Sequence, residues 1–211
     1  MELRRRMMNE NWDNIPYQKI EYIESTGTQY IDTGRTLQCY EYSGADAIDM
    51  EFMVISGSNT TEGIFGARYN ANTRNFSVIK SSTDSIVIDV NNGDYSTYRV
   101  NSGQSSINKR CSVHVERTYK SVSYDGVLIA SSTVASRVFS TASTALILGT
   151  RTISYNISAR LYSLKWYRSG YALFDLVPVR IGQVGYMYDK VSKQLFGNVG
   201  TDDFVLGNDI D

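Results

Sequence analysis

Asp49 and Glu51 are the residues of this chain whose type and spacing come nearest to catalysis. They stand two positions apart in Ile48-Asp49-Met50-Glu51-Phe52-Met53-Val54, where apolar and polar residues alternate. In an extended chain both carboxylates then project from one side. Paired carboxylates are what hydrolysis of a glycosidic bond requires, one as general acid/base and the other as nucleophile or base. A strand with one buried and one solvated face shows the same alternation, and that plainer reading is the expected one.

The remaining candidates are weaker. His114, the single histidine, lies between Val113 and Val115 and reads as an outward residue of a strand. With one histidine and with Cys39 and Cys111 far apart, neither a catalytic triad nor a zinc site is expected. The two cysteines read as free, buried thiols. Asp89-Val90-Asn91-Asn92-Gly93-Asp94 offers alternating oxygen atoms and a glycine, the chemistry calcium prefers. It lacks the full ligand series and terminal glutamate of an EF-hand loop, so an Asn/Asp turn is expected, with a structural calcium the lesser expectation. Tyr40, Tyr42, Tyr69, Tyr95, Tyr98 and Tyr155 fall in or near predicted loops. Their rings could stack on a sugar, with Asp94 and Asn92 binding hydroxyls. The competing reading is that tyrosines line sheets and subunit contacts. No catalytic residue, metal or other cofactor is expected.

The elements that must position these groups are strands. Beyond residues 48–54, strands are predicted over 63–68, 75–80, 85–90, 98–100, 111–118, 121–124, 127–130, 145–149, 158–167, 172–178, 185–189 and 194–197. Asp125-Gly126 is the strongest hairpin signal. Residues 81–84, 91–97 and 101–108 read as polar loops, and Trp166 and Phe174 as core. No window sustains helical apolar spacing. The fold class is therefore all-β, a two-sheet antiparallel sandwich of the jelly-roll kind.

Composition agrees. The chain has 211 residues, 42% hydrophobic and 20% charged, with 16 tyrosines and two prolines. That suits one β-rich domain with an ample core. A net charge of −1 argues against binding to a nucleic-acid backbone. No apolar run is long enough to span a bilayer, so membrane insertion is not expected. The basic start containing Arg4, Arg5 and Arg6 has no apolar stretch behind it and does not read as an export signal. Residues 1–16 read as an N-terminal arm, either docked on a partner through these arginines or folded back on its own domain, and residues 17–211 as the jelly-roll domain.

Glu21-Tyr22-Ile23-Glu24-Ser25-Thr26-Gly27-Thr28-Gln29-Tyr30-Ile31-Asp32-Thr33-Gly34 resembles the opening of laminin-G-like, concanavalin A-like jelly rolls of gut bacteria and their phages. A second set of similar motifs runs through Ala159 to Tyr167, Phe174 to Val179, Gly185 to Asp189, Phe196-Gly197-Asn198 and Gly200-Thr201. Ala47-Ile48-Asp49-Met50-Glu51-Phe52 is similar to the E-I-D-x-E-F strand of glycoside hydrolases that share the sandwich, whose first acid is the nucleophile. Alanine stands at that position here, which implies a protein without glycosidase activity.

The resemblance and the lack of an export signal together imply a non-enzymatic structural or adhesive virion protein of a tailed phage. A capsid decoration, head fibre or tail appendage fits this description. It would assemble in the host cytoplasm as a homo-oligomer, beside other virion proteins, and contact host-surface glycans. The alternatives are a glycan-binding module on a bacterial cell surface and a degenerate glycosidase. The opening segment is expected to join the first strands to the C-terminal 196–206 region and close the sandwich.

Overall fold

A computed structural model describes residues 15–40, 45–68, 73–93, 97–150 and 157–211. The described chain forms seventeen strands in order. They are β1 (Gln18–Lys19), β2 (Ile23–Thr26), β3 (Ile31–Cys39), β4 (Asp46–Val54), β5 (Glu62–Ala67), β6 (Asn75–Lys80), β7 (Ser85–Asn91), β8 (Arg99–Ser105), β9 (Arg110–Val115), β10 (Lys120–Tyr124), β11 (Val127–Ser132), β12 (Phe139–Ile147), β13 (Ser158–Arg168), β14 (Tyr171–Ile181), β15 (Val184–Asp189), β16 (Leu195–Phe196) and β17 (Val205–Leu206). No helix occurs among the described residues.

The strands make two antiparallel sheets. One has eleven strands along the path β11-β10-β9-β4-β13-β14-β15-β16, with β1 on β14, β2 on β13 and β17 on β2. The other has six, in the order β3-β12-β5-β6-β7-β8. The result is an all-β two-sheet sandwich, an arrangement compatible with a jelly roll.

Side-chain alternation fixes which face each strand buries. On β4, Ile48, Met50, Phe52 and Val54 join the core, and Asp49 and Glu51 face away from it. Phe76 and Val78 of β6 meet Ile86, Ile88 and Val90 of β7 in the same core from the smaller sheet. Trp166 is fully buried, edge-on to Phe65 at 6.0 Å between ring centres and tilted against Phe174 at 5.5 Å. Each such side chain contributes about 2–3 kcal/mol by leaving water, and this is the main attraction between the sheets. Cys39 and Cys111 are both free and buried, and burial raises their thiols to about 11 and about 12.

The opening segment acts as a seam. Its two strands, β2 and β3, enter different sheets rather than pairing as a hairpin. Between them Gly27 takes φ +112°, a left-handed conformation that favours glycine. The Ser25 hydroxyl accepts from the Gly27 amide at 3.1 Å, and the Gln29 side chain accepts from the Thr26 amide at 2.8 Å. β17 pairs with β2, Val205 opposite Glu24 and Leu206 opposite Ile23. The Val199 amide donates to the Tyr30 carbonyl at 2.8 Å. The segment thus pairs with the C-terminal region, as its sequence suggests.

Three sequence expectations are corrected. Residues 101–105 are strand rather than loop, because β8 pairs with β7 as far as Ser105 opposite Ser85. Their polar composition reflects an edge strand largely exposed to solvent. The strand predicted over 111–118 stops at Val115, where the Glu116 amide donates to the Tyr119 carbonyl and turns the chain. Asp89 and Asn91 lie inside β7, not in a turn.

Candidate functional site

The β4 acids are engaged by basic neighbours across the ladder. Asp49 sits opposite His114 of β9, its Oδ1 2.7 Å from Nδ1, and Glu116 lies 3.9 Å from the other ring nitrogen. The hydrogen bond to Asp49 raises the His114 pKa above its ordinary value. Glu51 Oε2 accepts from Arg110 Nη2 at 2.7 Å, and the same guanidinium lies 3.2 Å from the centre of the Tyr162 ring. The two carboxylates are about half exposed, at 49% and 46%. Cross-strand pairs of this kind stabilise a wet face by at most about 1 kcal/mol each. Both acids are therefore paired with a base from the neighbouring strand.

Ala47, on the same face, lines a pocket of about 730 Å³ together with Tyr40, Glu116 and Tyr167. Two of its acids already have partners. Asp46 at its rim is held by Arg168 at 2.7 Å and accepts from the Gln38 amide, and Glu116 accepts from the Thr118 hydroxyl at 3.0 Å.

The smaller sheet presents the opposite situation. Residues paired across a ladder point to the same side, so the register defines a row over the outer face: Asp32, Leu146, Gly66, Ser77, Asp89, Arg99. Asn75 opposite Asn91 lies on the same side, one step along the strands. Gly66 contributes no side chain, and its φ of +119° together with the Phe76 carbonyl, which a Cβ would meet, forbids one. The row therefore has a flat floor beside Ser77.

Asn75, Ser77, Asp89 and Asn91 are all 0% exposed. Among the described residues, both side-chain amide atoms of Asn75 and of Asn91, the Ser77 hydroxyl and both Asp89 oxygens find no hydrogen-bond partner. A buried polar group without a partner costs about 1–3 kcal/mol, and natural folds hold few. Arg99 Nε lies 3.7 Å from Asp89 Oδ1, a distance for charge attraction rather than a hydrogen bond. Burial raises the Asp89 pKa to about 6, against the opposing pull of Arg99 and Arg68.

Of the residues the sequence nominated, Asn92 is half-buried directly after β7, beside the row, and Tyr98 is half-buried just before β8. Tyr40 lines the pocket at Ala47. Tyr42, Tyr69, Asp94, Tyr95, Tyr155, Arg4, Arg5 and Arg6 lie outside the described residues. Sequence reasoning missed Asn75 and Ser77 altogether, because polar alternation in a strand reads as a wet face. Pairing the alternating polar positions of residues 75–80 with those of 85–91 was the signal that could have found the row.

Among the described residues no group of three or more His, Cys, Asp or Glu could hold a metal ion, and no helix is long and apolar enough to cross a membrane. No model of a known protein family matches the chain, and no curated protein matches it.

Proposed function

We propose that the protein is a non-enzymatic structural and adhesive module of a tailed-phage virion, related to the concanavalin A-like jelly rolls its opening segment resembles. It would serve as a capsid decoration, head fibre or tail appendage. The sandwich is the platform, and the pairing of β2 with β17 ties its opening segment to the C-terminal region within the larger sheet. The observation that carries the non-enzymatic reading is on β4, where Asp49 and Glu51 are each held by a basic neighbour and Ala47 stands in place of a third acid. In this reading the module works as a homo-oligomer among other virion proteins and turns its loops towards host-surface glycans.

Two experiments test the reading. Ala47→Glu puts a carboxylate at the pocket beside Tyr40 and Tyr167, and the expected result is no glycoside hydrolysis, since Asp49 and Glu51 stay paired. Turnover by that variant would make the protein a degenerate glycosidase instead. Mass spectrometry of purified particles should detect the protein, and light scattering should show an oligomer. A monomer absent from particles contradicts the virion assignment and leaves a glycan-binding module on a bacterial cell surface, a reading that the polar row on β6 and β7 also favours.

A further inference from the structure

His114 is the single histidine of the chain, and both nitrogens of its ring face carboxylates. Nδ1 lies 2.7 Å from Asp49 Oδ1 on β4, and Nε2 lies 3.9 Å from Glu116 Oε2 in the turn that follows β9. Only the imidazolium carries a proton on each nitrogen, so only the charged ring meets both acids favourably. A neutral ring keeps its one proton on Nδ1, where the contact is short, and turns a lone pair towards Glu116. The same turn reaches the ring a second time. Tyr119 lies 5.7 Å from the imidazole between ring centres, and the Glu116 amide donates to the Tyr119 carbonyl at 2.9 Å. At that range an aromatic ring attracts a cation more than a neutral group. Glu116, with Arg117 and Thr118 beside it, forms a wall of the pocket of about 730 Å³ at Ala47.

We infer that His114 is a pH-sensitive tie between the larger sheet and the pocket wall: the imidazolium holds the 116–119 turn against β4 through Glu116 and Asp49, and the neutral ring releases Glu116. The proton that leaves is the one on Nε2, and it passes to water. Glu116 keeps its bond from the Thr118 hydroxyl in either state, so the turn stays formed and only its attachment changes. The hydrogen bond to Asp49 raises the folded pKa above the ordinary 6.5, and the Glu116 charge adds to the rise against the opposing effect of burial. The tie is therefore complete below 6.5 and is lost as pH rises through the higher folded value. Three other charged groups stand on the elements around it. Lys165 is opposite Asp49 on β13, Arg117 is on the turn itself, and Lys120 of β10 donates to the Arg117 and Val134 carbonyls at 3.1 Å. Burial lowers the Lys120 pKa to about 8, so this ammonium titrates in a neighbouring range. Ser121, opposite His114 on β10, is uncharged. A tie of this kind goes beyond the adhesive reading and does not depend on it.

NMR titration of the full chain between about pH 5 and about pH 9 follows the single imidazole directly. Its midpoint is expected above 6.5. Asp49→Asn should lower the midpoint most, and Glu116→Gln should lower it by roughly half a pH unit, the size of an exposed charge pair at this separation. Amide nitrogen relaxation reads the turn. In wild type, residues 116–119 should become more mobile as pH passes the midpoint, and in His114→Gln they should keep one mobility across the same range. Glu116→Gln checks the chemistry separately, because a glutamine amide can donate to the neutral Nε2, and its turn should stay held above the midpoint. Three results overturn the inference: a midpoint at or below 6.5; a wild-type turn whose mobility does not change through the midpoint; or a change that persists in His114→Gln, which would assign it to Lys120.

Discussion

Strands β6 and β7 treat buried polar groups in opposite ways at their two ends. At one end Lys80, fully buried, places its ammonium among the carbonyls of Ser58, Thr60 and Ser81 at 2.9, 3.2 and 3.3 Å and Asp84 Oδ1 at 3.1 Å, with Glu62 3.6 Å away. It fills an oxygen cage much as a metal ion would. At the other end Asn75, Ser77, Asp89 and Asn91 are equally buried, and their side chains find no hydrogen-bond partner among the described residues. The same pair of strands can therefore satisfy buried polarity where stability is the requirement. Leaving it unsatisfied costs the fold energy, and a group that is costly to the fold and still present points to a role outside it.

The comparison can be broken at either end. The largest effect is expected from Lys80→Met, which leaves Asp84, Glu62 and three carbonyls around a methyl group. Guanidinium unfolding should show a loss of about 3–5 kcal/mol, the range for removing one partner of a buried ion pair. A loss below about 1 kcal/mol would mean the cage is not what holds that end.

Next comes the pH dependence of Asp89. Its folded pKa, raised to about 6, exceeds the unfolded value of 3.8, so between those values the folded state binds more protons than the unfolded one. Stability then falls as pH rises from about 4 to about 6 and is level on either side for this group. The span is up to about 3 kcal/mol for a shift of this size. Urea unfolding across that range should show the slope in wild type and its absence in Asp89→Asn. An identical slope in both would remove Asp89 as its source.

The smallest effect belongs to the exposed face of β4. Glu51→Gln should cost less than about 1 kcal/mol, because half-exposed pairs are screened by water. A larger cost would mean that this face carries stability the smaller sheet lacks.

Much of the architecture was legible in the sequence. Strict alternation in Ile48 to Val54 marked β4, and Asp125-Gly126 marked the β10–β11 hairpin, with both residues at positive φ as a type I′ turn needs. Trp166 and Phe174 are core, as their neighbours suggested. The shared fate of residues 22–34 and 196–206 could be read from motif similarity.

The polar row was not legible, for a physical reason. In Asn75-Phe76-Ser77-Val78 and Ile88-Asp89-Val90-Asn91 the pattern of a buried and a wet face is perfect, and only tertiary cover turns the wet face into a dry one. The Lys80 cage was hidden similarly, since three of its ligands are backbone carbonyls that no side-chain pattern encodes.

The central claim is that the row is kept at the expense of the fold. Ser77→Ala tests it most directly, because it deletes one unpartnered hydroxyl and almost no volume. In urea unfolding of the unliganded protein, the account predicts a gain of about 1 kcal/mol, the cost of a buried group without a partner. A loss of similar size would contradict it, showing that the hydroxyl is already satisfied and that the row belongs to the core.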